Sequence, residues 1–176
     1  MDSSPLQTQL DSLAALAERH AEGVFRYLRS LLGNAETARD LTQDTFLRLR
    51  QYADDAGPGM VFAAARSCAL DHFRRRKVRE QIEGEWDDGV EAHAASRSTD
   101  RPDRVLEDAE FRADLLSALG RLPEDQRSVF HLSEIEGLSY AEIARVLKLS
   151  PGTIASRKHH AVRKLRELLR RRGHGV

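Results

Sequence analysis

The chain has one cysteine, Cys68, which excludes an internal disulfide and any zinc site built from several cysteines. A small buried apolar residue is the ordinary role left for it. No apolar run is long enough to span a bilayer. The opening MDSSPLQTQLDS has neither the basic nor the apolar region of a secretory signal, so a cytoplasmic protein without membrane insertion is expected. Gly-rich phosphate loops, HExxH and GxSxG are all missing. An enzyme is therefore not expected, nor a cofactor. His159 and His160 are neighbours, and adjacent residues on a helix point in different directions, so they make no paired metal-ligand face. Strand-like alternation is absent from the first half of the chain, which leaves an all-helical class.

An excess of either charge is lacking too: 28 basic residues balance 28 acidic ones. That average hides a partition. Basic residues crowd into Arg74, Arg75, Arg76, Lys77 and Arg79, and again between Arg157 and Arg172, while acidic ones gather between Glu83 and Glu110. Basic patches are the electrostatic footprint of phosphate binding, although charge runs at helix ends are also commonly just solvated.

Helical spacing dominates what is present. Leu10, Leu13, Leu16 and Ala17 begin an amphipathic helix that continues through Phe25, Leu28, Leu31 and Leu32 and ends at Gly33. Asn34 can cap a second, with Ala38, Leu41, Thr45, Phe46 and Leu49 on one side and Asp40, Gln43, Asp44 and Arg48 outward. After the Gly/Pro loop at residues 54–59, Phe62, Ala65, Ala69 and Phe73 mark the inner face of a third helix that runs into the basic cluster. The first domain is predicted over residues 1–80 as a helical bundle. Residues 81–104, acidic and rich in Ser, Gly and Ala with Trp86 the only large aromatic, read as a linker. Residues 105–176 form a second small helical domain, whose first helix shows Leu106, Ala109, Leu116 and Leu119.

Within that second half, GLSYAEIARVLKLSPGTIASRKHHAVRKL reads as two helices joined by a tight turn. Ser139 and Glu142 have capping-box spacing, and Ser150-Pro151 supplies an N-cap followed by proline at the first helical position. An ordinary helical hairpin would carry the same caps. A helix-turn-helix would place its second helix in the DNA major groove. Gly152, Thr153, Ser156 and Arg157 would then lie at the base edges, with Arg157 the expected guanine reader. His160, Arg163 and Lys164 would hold backbone phosphates, and Ile154, Ala161, Leu165 and Leu168 would form the inward stripe.

Taken in order, these motifs resemble the bacterial sigma-70 family of RNA polymerase sigma factors, in its extracytoplasmic-function (ECF) group. LPEDQRSVFHLSEIEGLSYAEIARVLKLSPGTIASRKHHAVRKLRELL is similar to that group's promoter-binding C-terminal domain. DLTQDTFLRL is similar to the segment that grips the β′ clamp helices of polymerase, and MVFAAARSCALDHFRRR to the helix that recognises and helps melt the minus-ten element. The resemblance implies that Asp40, Gln43, Asp44 and Phe46 bind polymerase. It likewise implies that Arg66, Ser67, Asp71, Arg74, Arg75 and Arg76 serve the minus-ten element and that the helix-turn-helix reads the minus-thirty-five element. Core RNA polymerase (β′ clamp helices and β flap), promoter DNA and an anti-sigma factor are the partners implied. Met60 stands where the family commonly has tryptophan, and Ser67 where it has asparagine. Lys158 takes a position usually apolar, so it either snorkels outward or the helix is slightly rotated. Apart from the resemblance, an autonomous dimeric helix-turn-helix regulator is the rival function.

Overall fold

The structure is a computed structural model that describes residues 5–83 and 104–175, with side chains from 7–81 and 109–175. Trp86 and most of the expected linker lie outside the described residues. Seven α-helices are present among them: α1 (Pro5–Leu32), α2 (Ala35–Leu49), α3 (Pro58–Glu83), α4 (Arg104–Gly120), α5 (Glu124–Phe130), α6 (Tyr140–Leu147) and α7 (Pro151–Arg170). A short 3-10 turn follows α2, and a π turn, His131–Ile135, extends α5.

Local chemistry sets the boundaries. Gly33 takes φ +73° to stop α1, and the Asn34 side chain then accepts from the Thr37 amide at 3.0 Å to start α2. Gly137, at φ +69°, closes the α5 segment. Ser139 and Glu142 make the expected capping box, the Ser139 amide donating to the Glu142 carboxylate at 2.8 Å. Between α6 and α7 the chain turns on Lys148, a non-glycine residue at φ 55° in the left-handed region. That conformation crowds Cβ against the carbonyl and costs roughly 1–2 kcal/mol. Lys148→Gly is expected to raise stability by about 1 kcal/mol, less the chain entropy that glycine adds to the unfolded state, as read by urea denaturation.

Helices α1, α2 and α3 pack together around Leu16, Leu28, Phe46, Phe62 and Ala65, as their spacing predicts, with Val24, which the spacing did not single out, buried among them. The C-terminal half does not stand apart from this bundle. Val129, Leu132, Leu138, Ile143 and Ile154 share the same buried cluster, so α5 and α6 close against α1 and α3. Gly23 permits the approach: a side chain there would run into the Glu136 carboxylate. A second cluster joins α4 to α7 through Ala118, Leu119, Leu122, Ala161, Leu165 and Leu169. Five expected apolar-face positions shift, Leu10 and Ala109 among them, both exposed near the start of their helices. Phe73 and Leu116 are 37% and 51% exposed, because α3 outruns the bundle and α4 turns Leu115 and Ala118 inward instead. On α7 the fully inward residue is Leu169 rather than Leu168.

Candidate nucleic-acid interface

The α7 N-terminus is built by Ser150, whose hydroxyl accepts from the Thr153 amide at 3.2 Å and shares a 2.8 Å hydrogen bond with the Thr153 hydroxyl. Gly152, Ser156, His159, His160, Arg163 and Lys164 are exposed along the outer side. An open groove on that side is lined by His159, Val162, Arg163, Arg166, Glu167, Arg170 and Arg171. Arg163 lies 3.4 Å from His160 Nδ1, which braces the ring against the helix. This edge is basic apart from Glu167, which pairs with Arg171 at 2.5 Å, and it provides the positive potential a phosphate backbone requires.

Arg157 departs from expectation. It is three residues after inward Ile154 and four before inward Ala161, so it sits on the flank that faces α5. Its Nη2 is 3.0 Å from Asp125 Oδ2, and the side chain is 30% exposed. This pairing turns Arg157 away from the outer face and toward α5. Lys158 is likewise engaged: its Nζ is 2.5 Å from Glu134 Oε1 and 5.5 Å from the Tyr140 ring centroid. The Glu134 hydrogen bond raises the Lys158 pKa, so the ammonium stays charged. Snorkelling, the first alternative for this residue, is what the structure shows.

On α3, Asp71 is bracketed by Arg48 at 2.9 Å and Arg74 at 3.0 Å, and the Arg48 hydrogen bond first among these holds its carboxyl below the usual range. Ser67 is exposed, 3.5 Å from the same Arg48 guanidinium. Arg74, Arg75 and Arg76 are exposed, with Arg76 also 2.6 Å from Glu80. Partial burial lowers the His72 pKa, and the guanidiniums of Arg76, Arg79 and Arg75 lower it further, a direct mark of the positive field there. Arg66 is placed differently from its basic neighbours. Its side chain is 17% exposed and reaches Glu124 of α5 at 2.6 Å and Ser128 at 3.5 Å. Leu70 and Phe73, both 37% exposed, add an apolar edge beside the arginines that periodicity alone assigned to no site.

The outer face of α2 presents Asp40, Gln43 and Asp44. Phe46 does not join them: it is 7% exposed and part of the bundle core, so its assignment to the polymerase-facing surface is corrected. Leu47 is the apolar residue exposed on that outer face, 65% exposed, three residues after Asp44 and four after Gln43. An outward leucine breaking the apolar stripe was the sequence signal for it. Among the described residues, no group of His, Cys, Asp and Glu could hold a metal ion, and no helix is long and apolar enough to cross a membrane.

Two family models match the chain: Sigma-70 region 2 over residues 16–79 and Sigma-70, region 4 over residues 112–165. Among curated proteins the chain is 34% identical to the ECF RNA polymerase sigma factor SigE of Mycolicibacterium smegmatis, covering 96% of this chain and 65% of that protein. It is 35% identical to BldN of Streptomyces coelicolor over 92% of this chain and 61% of BldN. For SigL of Mycobacterium tuberculosis the identity is 33%, covering 92% of this chain and 90% of SigL. The chain thus spans somewhat less than two thirds of SigE and BldN and most of SigL. Among solved structures, the sigma factor RpoE from Bartonella quintana in complex with the anti-sigma factor NepR superposes with a TM-score of 0.64 at 26% identity, covering 93% of this chain and 95% of RpoE. CnrH in complex with the cytosolic domain of CnrY gives 0.58 at 26% identity, covering 89% and 86% of the two chains. With both regions matched in order and with SigL covered nearly end to end, the chain belongs to the sigma-70 family of RNA polymerase sigma factors, in its ECF group.

Proposed function

We propose that this chain is a promoter-specificity subunit that acts in the cytoplasm, directing core RNA polymerase to a minus-ten and minus-thirty-five pair with no catalytic activity of its own. The observation that carries it is the presence, on one chain, of two basic helical faces, α3 and α7, and a separate acidic face on α2. Residues 1–80 would hold the polymerase and minus-ten surfaces, residues 105–176 the minus-thirty-five reader, and 81–104 the connection. On α3, the exposed Ser67, Leu70 and Phe73 beside Arg74, Arg75 and Arg76 suit unstacked bases on a cationic backbone track. Asp71 and Arg66 would contribute once freed from their present partners. On α7, Gly152, Thr153 and Ser156 would face the base edges, and His160, Arg163 and Lys164 the phosphates. Two such readers on one chain gain affinity by joint attachment and discriminate promoter spacing. RpoE was solved with the anti-sigma factor NepR and CnrH with the cytosolic domain of CnrY, and an anti-sigma factor is proposed as a partner of this chain also.

The test is in vitro transcription with purified core polymerase over a promoter library, alongside gel shifts of the chain alone. Run-off transcripts that need both elements are expected. Tight specific duplex binding without core, and no transcript with it, would instead support an autonomous regulator. At the polymerase face, Leu47→Ala is expected to weaken core binding by about 1–2 kcal/mol in a titration of labelled core, as truncation of a central apolar contact does. Its thermal unfolding should not move, because Leu47 packs on nothing in the chain's core.

A further inference from the structure

We infer that Arg157 and Lys158 are positioning residues: through Asp125 and Glu134 they clasp α7 to the two ends of the α5 segment and so set the angle at which its outer face meets duplex DNA. The inference rests on the reading of α7 as the minus-thirty-five helix. The apolar grip of α7 is thin where these residues lie. Between Ile154 and Leu165 only Ala161 is buried on the inward stripe, and its methyl group offers little contact. One turn before it, where another apolar residue would normally pack, stands Lys158.

Two ion pairs fill that gap. Asp125 is itself oriented, because its Oδ1 accepts from the Gln126 amide at 2.8 Å, which aims Oδ2 at Arg157 Nη2, 3.0 Å away. It lies in the first turn of α5, where a carboxylate is favoured by the helix dipole. Glu134 lies in the π turn after α5, and its Oε1 meets Lys158 Nζ at 2.5 Å. The two anchors are nine residues apart on one segment, while the two cations are consecutive and about 100° apart around α7. Tethers so placed resist both roll and sliding of α7, whereas a single apolar seam resists mainly separation. Each pair is half-exposed and adds little to global stability. Its effect is directional, and a specificity site depends on its docking angle more than on its melting temperature.

Charge reversal tests this with the full-length chain bound to core polymerase, reading transcript yield over a library randomised in the minus-thirty-five element. Lys158→Glu and Glu134→Lys should each flatten base preference on the order of tenfold, and the double variant should restore it. The pair Arg157→Glu and Asp125→Arg should behave the same way. Circular dichroism melts identify any variant that does not fold, and Glu134→Gln, which only removes the tether, should show a smaller flattening. If Lys158→Glu loses yield on every library member while Glu134→Lys gains it and the double variant is not restored, Lys158 is a phosphate contact and the clasp is overturned. If Thr153→Ala and Ser156→Ala, at the positions assigned to base edges, leave library preference unchanged, the reading of α7 itself fails, whatever the clasp variants do.

Discussion

Tyr27→Ala is expected to lower stability by about 3–5 kcal/mol, the usual range for removing a large buried aromatic. For a chain of this size that corresponds to a fall in melting temperature of roughly 10 °C, measurable by circular dichroism. Tyr27 is fully buried on α1, edge-on to Phe62 of α3 at 5.8 Å and tilted against the His131 ring of the α5 segment at 5.5 Å. Its hydroxyl reaches Ser128 Oγ at 3.5 Å, too long for a strong hydrogen bond, and burial raises its pKa well clear of neutral pH. Tyr27→Phe should therefore cost no more than about 1 kcal/mol. The ring touches both halves of the chain, through Phe62 in the first and His131 in the second. A cost for Tyr27→Ala below about 1 kcal/mol would mean that the ring is not buried in solution.

The second large effect concerns Glu136. Its carboxylate is 8% exposed, 3.1 Å from His131 Nε2 and 3.3 Å from Arg26 Nη2. Burial alone would raise its pKa, but the His131 hydrogen bond and charge, with those of Arg26, outweigh burial and hold it below the ordinary value of 4.5. A depressed folded pKa means stability that is complete above the unfolded value and is lost as pH falls through the folded one. Glu136→Gln is expected to cost about 1.5–3 kcal/mol at neutral pH, the range for charge-assisted hydrogen bonds, discounted because Arg26 is half-exposed. The gap between variant and parent should close as pH is lowered from about 5 toward 3 in urea titrations. A gap that stays constant over that range would remove Glu136 as its source.

Much of the fold was legible because it rests on local chemistry. The Gly33–Asn34 stop and start, the Ser139–Glu142 box and Ser150-Pro151 each need only residues within one helical turn. The family resemblance was legible for the same reason, since its motifs lie in contiguous stretches. What could not be read depends on contacts remote in sequence. Leu116 and Leu115 differ by one position, and only the placement of α7 decides which turns inward. The pairing of Arg157 could not be read because its partner, Asp125, is 32 residues upstream and carries no mark in the local pattern. Phe46 and Leu47 are neighbours of similar character, and the packing of α3 on α2 sorts core from surface.

Arg66 gives the closed arrangement a thermodynamic meaning. Held by Glu124 and Ser128, its guanidinium is engaged by the chain itself, so any ligand that requires it must first compete with an internal one. Apparent affinity for such a ligand equals the intrinsic affinity multiplied by the fraction of molecules in which α5 has swung clear. Every contact between α1, α3 and the α5 segment, from Tyr27 to Glu136, therefore enters the binding constant of a site it never touches. Weakening those contacts should make the open chain a better binder and a less stable protein at once.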